Sequence, residues 1–308
     1  MMETITYVIQ FVLEAVLSLA PFFMLSVAVA SLIKTLKLEV YFEKAFRGRQ
    51  AASVPVAAGT GAFSPLCSCG VIPTIAAMLA AGIPMAPIMA FWITSPLMSP
   101  ESFVLTYSIL GREMAVARLV ATLFIGLVAG YVTLYLTQSG FVEKNVLKAL
   151  GNKEGDSEHQ ASLEQGLSQR DLLLVRLIQF LLNMKDMGIF IGKYILIAFI
   201  LEALITRYIP ISLVVGLLGN ESDAGPLLAA LIGIPAYASS ISAMPVVRGL
   251  MDLGMDKGTA LAFMIGGAAT SIPAMAAVYS IVRKKVFVMY LAFSLVGAVG
   301  AGYLYRLF

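Results

Sequence analysis

Charge is what this chain has least of. Only 13% of its 308 residues are Asp, Glu, Lys or Arg, against about 25% in soluble domains, and 59% are apolar. That balance excludes a soluble enzyme. Histidine occurs once (His159) and cysteine twice, which removes haem bundles, histidine-rich zinc sites and disulfide scaffolds. Twenty-one Lys and Arg stand against 18 Asp and Glu, with no basic tract interleaved with aromatics, so nucleic acid is not an expected partner. No basic residue precedes Lys34. The start therefore lacks the charged n-region of a cleavable signal, and the first apolar segment is read as a retained helix. With no nucleotide-binding motif present, ATP hydrolysis and a bound cofactor are not expected.

What the chain has is hydrocarbon. Its mean hydropathy is +0.90, and at roughly 20 residues per crossing it has room for about six to eight spans. Apolar segments occupy 5–33, 51–84, 85–109, 114–136, 188–205, 226–250, 258–282 and 286–305. Between them, residues 138–170 are polar and rich in Gly and Ser, and read as a cytoplasmic loop. The loop separates a first unit, 1–137, from a second, 171–308, which opens on an amphipathic stretch, 171–186, suited to the membrane interface.

The two units match each other at one constant spacing without a gap. Gly61 falls on Gly233, Pro73 on Pro245, Gly82 on Gly254, Ala90-Phe91 on Ala262-Phe263 and Ser99 on Ser271. Tyr107-Ser108-Ile109 falls on Tyr279-Ser280-Ile281, and Gly130-Tyr131 on Gly302-Tyr303. Such a run of Gly, Pro and Tyr matches indicates a duplication, a common plan for transporters. Basic residues set the orientation. Lys34, Lys37, Lys44, Arg47 and Arg49 crowd one loop whose counterpart holds Arg207 alone, while Arg112 contrasts the other way with Arg283-Lys284-Lys285. If basic loops face the cytoplasm, the repeats are inverted, and each crosses the membrane an odd number of times. Four apolar segments per repeat then require one to enter and return on the same side. The Pro- and Ser-interrupted segments 51–84 and 223–256 are the candidates. The expected fold is all-α and polytopic: two inverted repeats, each of three transmembrane helices and one broken or re-entrant hairpin, with both termini outside. Arg118 and Lys193 fall near the ends of expected helices, where long side chains snorkel.

The hairpin tips hold the candidate chemistry. The first carries Cys67, Ser68, Cys69 and Gly70; the second carries Tyr237, Ser239, Ser240 and Ser242. Pro73 and Pro245 stand near the start of each second arm, where a missing amide does no harm and the positive end of a half-helix faces the tip. Only the first tip has thiols, which near a helix N-terminus shift toward the thiolate that ligates soft metals. The alternative is two small buried residues in a tight turn. Thr94, Ser95 and Ser99, with Thr270 and Ser271 in the second repeat, interrupt apolar runs. They either line a solute path or satisfy carbonyls freed by proline. Glu101 and Glu202 are candidates for proton coupling as ionisable groups within membrane segments, whereas Glu14 and Asp186 fit the interface.

The string from Phe63 through Pro65, Cys67, Cys69 and Gly70 to Pro73, followed by the Ile83-Pro84 and Thr94-Ser95-Pro96 motifs, resembles the ArsP/YraQ-type permease family. The resemblance covers both halves. It implies an inner-membrane permease exporting trivalent organoarsenicals such as methylarsenite, or related metals, with Cys67 and Cys69 binding the soft centre. Expected partners are a small-molecule or metalloid substrate and the lipid bilayer, and a homodimer is compatible with the sequence. Two other readings stay open: an anion or small-solute permease using the opposed half-helix N-termini, and a membrane thiol redox protein or sensor. Single cysteines introduced at Gly82 and Gly254 are expected to react with an impermeant maleimide from opposite sides of the membrane; reaction from one side would exclude inversion.

Overall fold

Prolines and glycines cut the apolar runs into helices shorter than the runs themselves. The computed structural model describes residues 10, 13, 50–64, 71–80, 82–140, 200, 224–236 and 240–307, and among them every regular element is an α-helix. In the first half these are α1 (Gln50–Ala62), α2 (Val71–Ala80), α3 (Met85–Leu97), α4 (Pro100–Leu110) and α5 (Arg112–Gln138). The second half holds α6 (Gly225–Ala236), α7 (Ser240–Asp252), α8 (Lys257–Thr270), α9 (Ile272–Ile281) and α10 (Lys284–Arg306). Apart from residues 10, 13 and 200, the expected segments 5–33 and 188–205 lie outside the described residues, as do the interfacial stretch 171–186 and nearly all of the loop 138–170.

Length sorts the helices into two kinds. With 27 and 23 residues, α5 and α10 are long and apolar enough to cross a membrane, at about 40 and 35 Å. The other described helices have 10 to 14 residues. Each is about 15–21 Å long, short of the ~30 Å of hydrocarbon. Both 85–109 and 258–282 prove to be pairs of half-length helices. The first breaks at Met98 and Ser99, both extended, and the second at Ser271. Ser99 is forced out of the helical region because Pro100 follows it. Pro245 departs from its expected place: α7 begins at Ser240, so the proline lies inside the helix, at its sixth residue, and not at its start.

Glycine contacts give the helix directions. A Cβ on Gly61 would collide with Thr94 Oγ1, and one on Gly130 would collide with Val54 Cγ1 and stand 3.4 Å from the Ala86 carbonyl oxygen. Early residues of α1 thus lie level with early residues of α3, and late with late, so the two run parallel. Gly126 meets Thr94 while Gly130 meets Ala86, so α5 runs antiparallel to both. The second half repeats the plan, with Gly225 beside Thr259, Gly233 beside Phe263 and Gly267, and Gly302 beside Ala262 and Pro226. Since α1 and α3 start at one level and point the same way, the chain from 63 to 84 must return to the level it left. The return ends in the same turn in each half. Gly82, at φ 71°, and Gly254, at φ 103°, follow the helix in the left-handed conformation. The Ile83 amide donates to the Met78 carbonyl as the Met255 amide does to that of Leu250.

The halves meet along several seams. Between them α3 packs on α8, α4 on α7, α2 on α9 and α5 on α10. Ile125 of α5 lies against Gly297 of α10. Glu113, near the start of α5, pairs at 3.1 Å with Lys257, which lies at the end of α8 that neighbours the C-terminus of α10. The N-terminal end of α5 and the C-terminal end of α10 are therefore on one side, and the two long helices run antiparallel. Trp92 and Tyr290, each 1% exposed, hold their rings 5.2 Å apart across the centre.

At the head of α8, Asp256 accepts the Thr259 amide at 2.9 Å and pairs with Arg306 of α10 at 2.5 Å. Burial opposes ionisation of this carboxyl, but bonds from Arg306 and from the Thr259 hydroxyl and amide outweigh it, holding its pKa at about 2. A depressed folded pKa adds stability that is complete above the ordinary carboxylate range and disappears as pH falls toward 2. Asn caps a helix about as well as Asp, so Asp256→Asn isolates the charge. The detergent-solubilised variant is expected to melt below the parent at pH 6, with the gap closing as pH falls from about 4 to 2; a gap independent of pH would exclude the charge as its source.

Candidate functional site

The hydroxyls singled out in the sequence divide by what they touch. Thr94 is buried and donates to the Ala90 carbonyl at 2.9 Å and to that of Phe91 at 3.2 Å. Thr270 donates to the Gly266 carbonyl at 2.5 Å. Both serve their own helices, as hydroxyls commonly do in lipid-embedded segments. Ser99 caps α4, accepting the Ser102 amide at 3.1 Å and donating to Ser102 Oγ at 2.9 Å. Ser271 holds the equivalent place ahead of α9 without a side-chain cap bond. Glu101 is exposed in the first turn of α4, where the helix dipole favours a negative charge.

Ser95 behaves differently. It is 1% exposed, and among the described residues its hydroxyl has no hydrogen-bond partner. Ser95 lies one turn from Trp92 on the same face of α3, and Trp92 packs on Tyr290 of the other half, so this hydroxyl is turned toward the seam between halves. Thr74, which the sequence reading did not single out, is 6% exposed and equally without a partner. It is the fourth residue of α2, and helical side chains lean toward the N-terminus, so its hydroxyl lies over the turn next to residues 65–70. A buried hydroxyl left unpaired costs about 1–3 kcal/mol. At the same spacing, the positions in the second half that match Ser95 and Thr74 hold Gly267 and Val246. The unpaired polarity is therefore confined to the first half of this pair of positions.

Arg118 corrects the expectation that it snorkels. It is 0% exposed, the seventh residue of α5, and its side chain points inward. Nε donates to the Leu97 carbonyl at 3.2 Å and a terminal nitrogen to Thr106 Oγ1 at 3.0 Å. The signal was present in the sequence, as an ionisable residue inside an apolar run. What it lacked was the broken helix end that gives the guanidinium an acceptor.

Cys67, Ser68, Cys69, Gly70, Tyr237, Ser239 and Glu202 lie outside the described residues, and the side chains of Ser240 and Ser242 are likewise undescribed. Among the described residues no three of His, Cys, Asp and Glu come together as metal ligands. In sequence the thiols fall between α1 and α2, two half-length helices whose ends meet residues 63–70.

Broken half-helices around a seam between two matching halves are a transporter's architecture. A family model described as "Predicted permease" (ArsP_1) matches residues 1–307. The chain belongs to this permease family. The permease is similar to UPF0718 protein YcgR of Bacillus subtilis, 24% identical over 300 residues that cover 96% of this chain and 93% of that one. It is also similar to UPF0718 protein MJ0584 of Methanocaldococcus jannaschii, 21% identical over 333 residues, covering 94% and 91%. No solved structure matches it. Family membership makes the permease a membrane protein with a transport role.

Removing an unpaired buried hydroxyl relieves a desolvation cost, so Ser95→Ala and Thr74→Val are each expected to keep or raise the melting temperature of the purified permease. A fall equivalent to more than about 1 kcal/mol in either would mean that the hydroxyl has a partner in the folded protein.

Proposed function

We propose that the permease exports a soft, thiol-reactive solute, a trivalent organoarsenical or metal, by alternating access between two inverted repeats in the inner membrane. The observation that carries this reading is the position of Cys67-Ser68-Cys69. These residues fall between α1 and α2, immediately before a helix N-terminus bearing an unpaired, buried Thr74. Thiolate character is favoured beside a helix start, and thiolates hold As(III) and soft metals better than oxygen or nitrogen ligands do.

Three observations support the inverted repeats. The spacing that matches Gly61 to Gly233 also carries the starts of α3, α4 and α5 (Met85, Pro100, Arg112) onto those of α8, α9 and α10 (Lys257, Ile272, Lys284). The antiparallel course of α5 and α10 is what inversion requires. Contrasting basic loops agree, and on the same argument the proposed termini are outside. On this arrangement each half contributes three crossings and a re-entrant hairpin, 51–84 or 223–256, and the second tip, with Tyr237, Ser239, Ser240 and Ser242, faces the first across the axis. Proton antiport is the proposed drive, with Glu101 and Glu202 as the exchanging groups.

A second reading is favoured by Ser95 and Thr74. Unpaired buried donors, one turned toward the seam and the other over the first turn of α2, suit a hydrogen-bonding anion or neutral solute, with Thr94, Ser99, Thr270 and Ser271 shaping the path. The deciding measurement is uptake of trivalent methylarsenite by everted membrane vesicles at matched expression. Uptake by the parent, falling to vesicle background in both Cys67→Ser and Cys69→Ser, is the expected result. Uptake retained in both variants would remove the thiols from the mechanism and favour the hydroxyl reading.

A further inference from the structure

The most demanding group in the described core is Arg118. A guanidinium at the seventh position of a membrane-crossing helix carries a desolvation cost that an aliphatic side chain would not. Its environment explains part of its presence. The backbone leaves the helical conformation at Met98, so the Leu97 carbonyl loses the amide donor that a continuing helix would supply. Arg118 Nε donates to it.

The second half solves the same problem differently. Ala269 is the repeat counterpart of Leu97, and Tyr290 is that of Arg118. Each of Arg118 and Tyr290 is the seventh residue of its long helix. The Tyr290 hydroxyl donates to the Ala269 carbonyl at 2.6 Å. A neutral tyrosine is thus sufficient to hold the broken end, at a lower desolvation cost. The arginine must be doing something that the tyrosine does not.

One difference is the bond to α4. Arg118 also donates to Thr106 Oγ1, in the middle of α4. That hydroxyl donates to the Ser102 carbonyl at 2.6 Å and lies 3.7 Å from Met244 Sδ, on α7 of the opposite half. The corresponding positions in the other seam are Val278 and Ile72, which can make none of these bonds. One side chain therefore ties the end of α3, the middle of α4 and the body of α5, and seats α7 through Thr106. The α2 and α9 seam has no counterpart at these positions.

We propose that Arg118 is a positioning residue for transport: it fixes the angle of the α3–α4 break and thereby the seat of α7 against α4. Its loss slows the conformational cycle and leaves solute capture nearly unchanged. The proposal rests on the permease architecture and not on the identity of the solute.

The test uses Arg118→Tyr, which borrows the second half's own solution and keeps a donor for the Leu97 carbonyl, and Thr106→Val, which keeps Arg118 but removes the hydroxyl that accepts from it and reaches Met244. Two measurements are made on each. In a chain with Cys67 and Cys69 replaced by serine, spin labels are placed at the exposed positions 104 on α4 and 246 on α7, and their distance distribution is recorded. Methylarsenite uptake is measured separately in vesicles of the cysteine-containing chain. Both variants are expected to broaden the distribution and to lower Vmax by about tenfold with KM within about twofold. Thr106→Ser, which restores the oxygen, is expected to restore both. A distribution of parental width in Arg118→Tyr and Thr106→Val alike would overturn the proposal, reducing Arg118 to a brace equivalent to Tyr290. If the parent takes up no methylarsenite, the solute assignment fails while the spin-label distances still decide the role of Arg118.

Discussion

A backbone carbonyl or amide in hydrocarbon has no water to turn to, and the arrangement of the permease follows from that constraint. A continuous helix meets it internally, as α5 and α10 do. The half-length helices do not where they end inside the protein, as α3 and α8 do, with carbonyls that the helix itself leaves unpaired. Every such end must be covered by protein. Arg118 and Tyr290 cover the ends of α3 and α8, while Ser99 and Asp256 cover the starts of α4 and α8. The broken segments can exist only because long helices stand close enough to supply these donors and acceptors.

Close approach in turn depends on small residues. Burying apolar surface gains little between helices already in lipid, so packing and hydrogen bonding hold them together. Gly126 and Gly130 on α5 let α1 and α3 lie against its backbone, and Gly302 on α10 does the same for α6 and α8. A methyl group at Gly61 would collide with the Thr94 hydroxyl and the Phe91 carbonyl, which ties the α1–α3 contact to a single missing atom. The seam between halves is filled differently, by Trp92 on Tyr290 and Ile125 on Gly297.

Against this near-symmetric frame, the differences between the halves are the basis of the proposals made above. Thiols, unpaired hydroxyls and the buried guanidinium all belong to the first half, at positions where the second has Ser239, Ile241, Val246, Gly267 and Tyr290. On the proposed duplication both halves must pack alike, so the residues they share report folding. Residues that one half alone retains are released from that requirement.

The all-helical class, the constant spacing between the two halves and the polar breaks at Ser99 and Ser271 were legible in the amino-acid sequence, because each depends on local properties: hydropathy, proline geometry and identical residues at a fixed interval. The thiol motif is a feature of the sequence alone, since Cys67 and Cys69 lie outside the described residues. Pro245 lies more than a turn past the start of α7, because the helix begins at Ser240, where no proline marks it. Which hydroxyls are spent on their own helix and which are left over could not be read, because Thr94 and Ser95 are adjacent and differ only in the face they present. Arg118 was read as a surface-seeking cation. Only tertiary structure brings the Leu97 carbonyl and the Thr106 hydroxyl, 21 and 12 residues away, to one guanidinium, and hydrogen bonds between distant segments leave no periodicity in a sequence.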